Sequence, residues 1–125
     1  MKRYPSTVKI YFNWVKDLLI NDPLVENINV IRERIGNIEG FIQIKINLIH
    51  SKKLAIFEYY SLKKGITNYR YQLMDENNNL IIRWDSAPHH PEISTSPYHL
   101  HKNDKIEESE KMNIQKLLAI LSNFI

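Results

Sequence analysis

Residues 41–50 read FIQIKINLIH, and their alternation decides the fold. Ile42, Ile44, Ile46 and Leu48 fall on one side of an extended chain, and Gln43, Lys45 and Asn47 fall on the other. A period of two is the mark of a strand with one face on a core and one in water. The pattern continues outward. Ser51-Lys52-Lys53 makes a tight connection to a second strand, Leu54 to Leu62, rich in aromatic residues. Lys63-Lys64-Gly65 turns the chain, and Tyr69 to Asp75 is a third strand. Glu76-Asn77-Asn78-Asn79 has hairpin composition, because Asn tolerates positive φ. Leu80 to Asp85 is the fourth strand. Between Gly36 and Gly40 the chain turns into the first of these strands.

The two ends carry the helical period instead. From Tyr4 to Ile20, residues Val8, Tyr11, Phe12, Val15, Leu18 and Leu19 make one broad apolar face. Pro5 and Ser6 are a start signal, and Asn21-Asp22-Pro23 a stop. Met112 to Phe124 repeats the pattern with Ile114, Leu117, Leu118 and Leu121. Leu24 to Ile35 fits both periods. Leu24, Ile28, Ile31 and Ile35 suit a helix started by Asp22 and Pro23, whereas Val25, Ile28, Val30 and Ile31 suit a strand. Periodicity alone favours the helix there. The expected class is α+β: one domain over residues 1–125, an antiparallel sheet of four or five strands packed by an N-terminal and a C-terminal helix.

The chain has 125 residues, 43% hydrophobic and 25% charged, which suits a globular fold with one modest core. It has no cysteine, so disulfides, thiolate metal sites and cysteine nucleophiles are excluded. The opening residues lack the apolar run of a signal peptide, and no stretch approaches the roughly 20 apolar residues that span a bilayer. A cytoplasmic location without a membrane partner is expected. The net charge of +3 permits an anionic partner such as RNA without requiring one.

Chemistry concentrates in residues 83–101, RWDSAPHHPEISTSPYHLH, which hold four of the five histidines. Pro88, Pro91 and Pro97 prevent regular structure from Ser86 to about Tyr98. His99 and His101, two apart, point to the same side of extended backbone. Three readings follow. In the first, His89 or His90 and His99 or His101 are the acid and base of a cofactor-independent RNA cleavage. There Asp85 orients an imidazole, while Arg83 and Arg70 hold phosphate. In the second, His99, His101, His89 and Asp85 hold a divalent transition metal such as Zn. In the third, the loop is a non-enzymatic protein-binding surface. Against all three stands a purely structural role, since Pro-His segments can cap strand ends. His50, alone at a strand end, reads as structural or surface.

Glu58 lies inside the apolar run IFEYY, where a carboxylate is costly unless paired or wet. Arg70 across the hairpin is its expected partner, and an alternative role is a base on the working face of the sheet. Tyr69 and Tyr71 sit on one face of their strand, with Arg70 and Gln72 on the other. The tyrosines either pack beneath a helix or, as Tyr71 in a substrate-binding role, stack on bases.

The run YRYQLMDENNNLIIRWDSAPHHPEISTSPYHLH resembles the signature of the TumE-like toxins of prokaryotic toxin–antitoxin pairs. The family pattern is approximately Y-R-Y-H, then M-D-x-x-G-x-L-I-x-R-W/Y-D-N-A-P-H-H-P-E, then T-x-P-H-H-x-H. The match is specific from Tyr69 to His101 and holds in outline over most of the chain. Gln72, Ser86, Asn79 and Tyr98 depart from it, leaving His89, His90, His99 and His101 as the shared histidines. The resemblance implies a strand for residues 24–35 and a toxin paired with a DNA-binding antitoxin. Ribonuclease activity is implied only by analogy with other such toxins, and a homodimer is left open.

Overall fold

The computed structural model describes residues 7–125. The expected start signals Pro5 and Ser6 lie outside the described residues. The first helix, α1, is Val8–Asn21. Thr7 caps it, its hydroxyl accepting the Ile10 N–H at 3.0 Å. At the other end, the Asp22 carboxylate accepts the Leu24 N–H at 2.9 Å and turns the chain into the sheet.

Seven strands follow: β1 (Val25–Ile35), β2 (Glu39–Leu48), β3 (Lys53–Ser61), β4 (Gly65–Met74), β5 (Leu80–Asp85), β6 (His99–Lys102) and β7 (Lys105–Glu108). They lie side by side in chain order, each antiparallel to its neighbours. The α+β class stands, but the strand count among the described residues is seven, not four or five. The additional hairpin is β6–β7. Its strands have four residues each, too few to show a period. The turn is nonetheless chemically specified: Asn103 and Asp104 both take positive φ, 52° and 59°, as a tight two-residue hairpin requires.

Residues 25–35 form a strand, as the family resemblance implies and the helical period does not. Two register shifts explain the misleading spacing. They lie between Val25 and Asn27 and between Val30 and Arg32. An extra residue at a bulge moves the next inward position along by one. The residues packed against the core are therefore Val25, Ile28 and Val30, spaced three and then two apart. Ile31 and Ile35 are exposed.

The last helix, α2, is Ile114–Ile120, shorter than expected, and continues as a 3-10 turn over Leu121–Phe124. Asn113 caps it by accepting the Lys116 N–H at 2.8 Å. Both helices cover the same face of the sheet. The Tyr11 ring stacks on Tyr60, with centroids 3.7 Å apart, and Trp84 meets Phe124 edge-on. Ile42, Ile44, Ile46, Leu54, Ile56, Tyr71 and Leu73 are buried between the layers. The other face carries Gln43, Phe57, Arg70, Arg83, Asp85, His99 and His101, and no described helix lies over it.

Gly40 shows how closely β1 and β2 approach. A Cβ placed there would lie 2.2 Å from the Arg34 carbonyl oxygen and 3.1 Å from Val8. Backbone cannot yield as a flexible side chain does, so Gly40→Ala should cost about 2–3 kcal/mol. Urea unfolding of this variant beside the parent checks it. Equal midpoints would mean that the approach relaxes without cost.

Candidate functional site

The sheet register assembles the site. Asp85 lies between Arg70 on β4 and His99 on β6, and Arg83 between Gln72 and His101. Directly opposed residues share a face, so two histidines, two arginines and one carboxylate meet on the helix-free side. Asp85 is buried. One carboxylate oxygen accepts the Ala87 N–H at 2.7 Å. The other lies 3.6 Å from Arg70 Nε and 3.7 Å from Arg83 Nε. Arg70 and Arg83 thus flank a common carboxylate, on neighbouring strands as expected. Arg83 Nε is buried without a hydrogen-bond partner.

The segment between β5 and β6 folds back over this face and contributes His90. One ring nitrogen each from His90, His99 and His101 lies within 4.8 Å of the others. The two supporting contacts fix tautomers. His99 Nδ1 lies 2.9 Å from the Pro97 carbonyl, which can only accept, so Nδ1 carries the proton and Nε2 the lone pair. His90 Nδ1 lies 3.1 Å from Glu92 and by the same argument donates to it. His101 Nε2 is 3.1 Å from His99 Nε2. It can either donate a proton to that lone pair or share a cation with it. Burial, followed by the nearby Arg83 charge, pushes the His101 pKa down and favours its neutral form.

Several candidates stand elsewhere. His89 is exposed and outside the trio; the loop presents its neighbour instead. Asp85 bonds to a backbone N–H rather than to an imidazole, so the orienting contacts are those of Pro97 and Glu92. Glu58 does not pair with Arg70, because the register sets Glu58 opposite Tyr69 and Phe57 opposite Arg70. Glu58 is fully buried on the helix-covered face, where it accepts hydrogen bonds from the hydroxyls of Tyr11 and Tyr71. Burial raises its pKa to about 7 against the lowering effect of those bonds. Tyr71, completely buried, lies on that side with it and is not within reach of a ligand on the open face. His50 is exposed with φ 60° in the turn after β2.

Beside the histidines a groove of about 370 Å³ runs across the sheet, lined among others by Arg32, Gln43, Phe57, Arg70 and Asp85. Phe41, on the same face two positions along β2 from Gln43, lies 6.1 Å from Phe57 between ring centroids, with the Arg32 guanidinium 5.3 Å from its ring. The aromatic residues of this face were readable from alternation, since Phe41 and Phe57 share the side of Gln43. Their meaning depended on knowing which side the helices leave open.

A family model described as Toxin TumE matches residues 15–125. The chain belongs to the TumE toxin family. The match begins within α1 and takes in every strand of the toxin, including the β6–β7 hairpin that carries His99 and His101. No curated protein and no solved structure matches the toxin. Among its described residues, no helix is long and apolar enough to cross a membrane.

Proposed function

We propose that the toxin cleaves RNA at a centre in which His90, His99 and His101 hold a divalent transition metal. The observation that carries this reading is the convergence of three imidazoles, two of them with the outer nitrogen anchored to an acceptor. Metal-binding histidines are commonly held this way, since the anchor fixes the tautomer and aims the lone pair. Zinc–nitrogen bonds of about 2.0–2.1 Å in a tetrahedron place ligand nitrogens about 3.3 Å apart. The 3.1 Å between His99 and His101 is close to this value. Three neutral imidazoles would leave the full charge on a bound ion, the donor set of catalytic rather than structural zinc.

When bound, such an ion would supply a base near neutral pH. RNA cleavage would then follow by loss of the ribose 2′-hydroxyl proton to that base and bonding of the 2′-oxygen to phosphorus. The bond from phosphorus to the 5′-oxygen then breaks, and that oxygen leaves with the proton. Arg83 and Arg70 offset charge on the phosphate. Direct acid–base work by two histidines fits less well. His90 would have to act with His99 or His101, and one ring nitrogen of each of the three lies within 4.8 Å of the others, too close to place a phosphate between them. Family membership implies an antitoxin as the partner that restrains the toxin. That this antitoxin binds DNA belongs to the same proposal.

Elemental analysis and cobalt titration test the centre. The purified toxin should take up one ion per chain with a visible cobalt spectrum. His90→Ala, His99→Ala and His101→Ala should each lose it, whereas His89→Ala should keep it. RNA cleavage that persists unchanged in metal-free, chelator-treated protein would remove the metal from the mechanism and return proton transfer to the histidines themselves. The anchors provide a subtler check. Glu92 is largely exposed, so Glu92→Ala should weaken metal binding by about tenfold, the low end for such a partner. An unchanged affinity would show that Glu92 does not orient His90.

A further inference from the structure

We infer that the open face from β1 to β4 is a stacking platform that selects single-stranded RNA and feeds it to the histidine centre. The inference rests on the RNA reading above and gives its substrate class. A row of directly opposed residues crosses the whole sheet: Arg32, Gln43, Phe57, Arg70, Asp85, His99 and Glu108. The groove follows this row from Arg32 to Asp85. Its floor therefore leads from arginine and phenylalanine directly to the proposed site of cleavage.

Composition and charge identify the occupant. The rings of Phe41 and Phe57 are half-buried on this face, and Arg32 already lies over one of them. Arg32, Arg34, Lys45, Lys53, Arg70 and Arg83 outnumber the acids of the same face, Glu39, Asp85, Glu108 and, on the loop over it, Glu92. Aromatic rings ringed by cations are what a flexible polyanion with exposed base faces requires. A protein would find too much like charge for an apolar surface. A duplex offers phosphates but hides its bases inside the stack. Strands are about 4.8 Å apart, so Phe57 on β3 and His99 on β6 are separated by about 14 Å. That distance accommodates the two or three bases that a sheet platform of this kind stacks.

The test measures binding without cleavage. His101→Ala protein is titrated into a fluorescein-labelled, unstructured decaribonucleotide and into the duplex of the same sequence, with anisotropy as the readout. The single strand should bind at least about tenfold more tightly. Phe57→Leu keeps apolar volume but loses the ring. Added to this background, it should weaken single-strand binding by about fivefold or more. Phe41→Leu should act in the same direction, and circular dichroism verifies that each variant folds. Equal affinity for duplex and single strand, or full binding by the Phe41→Leu, Phe57→Leu double variant, overturns the platform. The two proposals fail separately. Single-strand binding by a toxin that never cleaves strikes the centre and leaves the platform. Cleavage by a toxin indifferent to both phenylalanines does the reverse.

Discussion

Glu58→Gln is expected to abolish most of the loss of stability that the toxin shows between pH 5 and pH 8. The carboxyl is fully buried beneath α1 and its pKa rises from an ordinary 4.5 to about 7. The sign follows from proton counting. Below pH 4.5 both folded and unfolded chains hold the proton. Between 4.5 and about 7 the unfolded chain releases it and the folded chain does not, so folding weakens as pH rises. At about 1.4 kcal/mol per pKa unit, the loss from pH 5 to pH 8 is about 2–3 kcal/mol. Glutamine keeps an acceptor and a donor for Tyr11 and Tyr71 without the charge, so its unfolding curve should be nearly flat over this range. Urea titrations of both proteins at the two pH values decide the matter. Parallel losses would mean that the Glu58 proton is not linked to folding. Glu58→Ala should be much worse at any pH. It leaves two buried hydroxyls without their acceptor and opens a cavity, together about 4 kcal/mol.

His101→Ala should abolish both metal uptake and the arrest of growth on expression, while His89→Ala leaves both intact. Removing a supporting partner of a metal ligand typically costs about 10–100-fold in affinity, and removing the ligand itself should cost more. His101 is only half-buried, which makes it a cleaner probe than His99. The decisive comparison is growth at matched protein abundance. If His101→Ala arrests growth as fully as the parent, the toxic activity resides away from the trio, whatever the metal content. Opposite outcomes for His101→Ala and His89→Ala would also separate the trio from a general effect of losing an imidazole.

Much of this was legible in residue order. Alternation from Phe41 to Leu48 placed the central strands, and the asparagines after Asp75 placed a hairpin where Asn78 takes φ 64°. The family pattern correctly set residues 25–35 as a strand, where periodicity alone pointed to a helix. That error arose from bulges, which alter inward spacing without leaving a local mark. The histidine-rich segment was legible as a region but not as a geometry. Nothing in PHHPE shows that His90 turns inward and His89 outward, because the choice depends on how the loop folds over β5 and β6. Glu58 was legible as an anomaly, yet its partners were Tyr11 of α1, 47 residues earlier, and Tyr71 of β4, rather than Arg70.

The strictly sequential order of the strands sets how the toxin regains its shape after unfolding. Except for the connection of residues 86–98 between β5 and β6, each hairpin closes a short loop, so the sheet can zip in small steps with little entropy lost at each. The long closures come from the chain ends: Tyr11 reaches Glu58 over 47 residues, and the Met112 N–H reaches the Tyr69 hydroxyl over 43. Rate-limiting closure therefore falls to the terminal helices, whereas Arg70 and residues 83–101 already lie on consecutive hairpins. A chain refolding after unfolding would assemble its reactive face before its core is sealed.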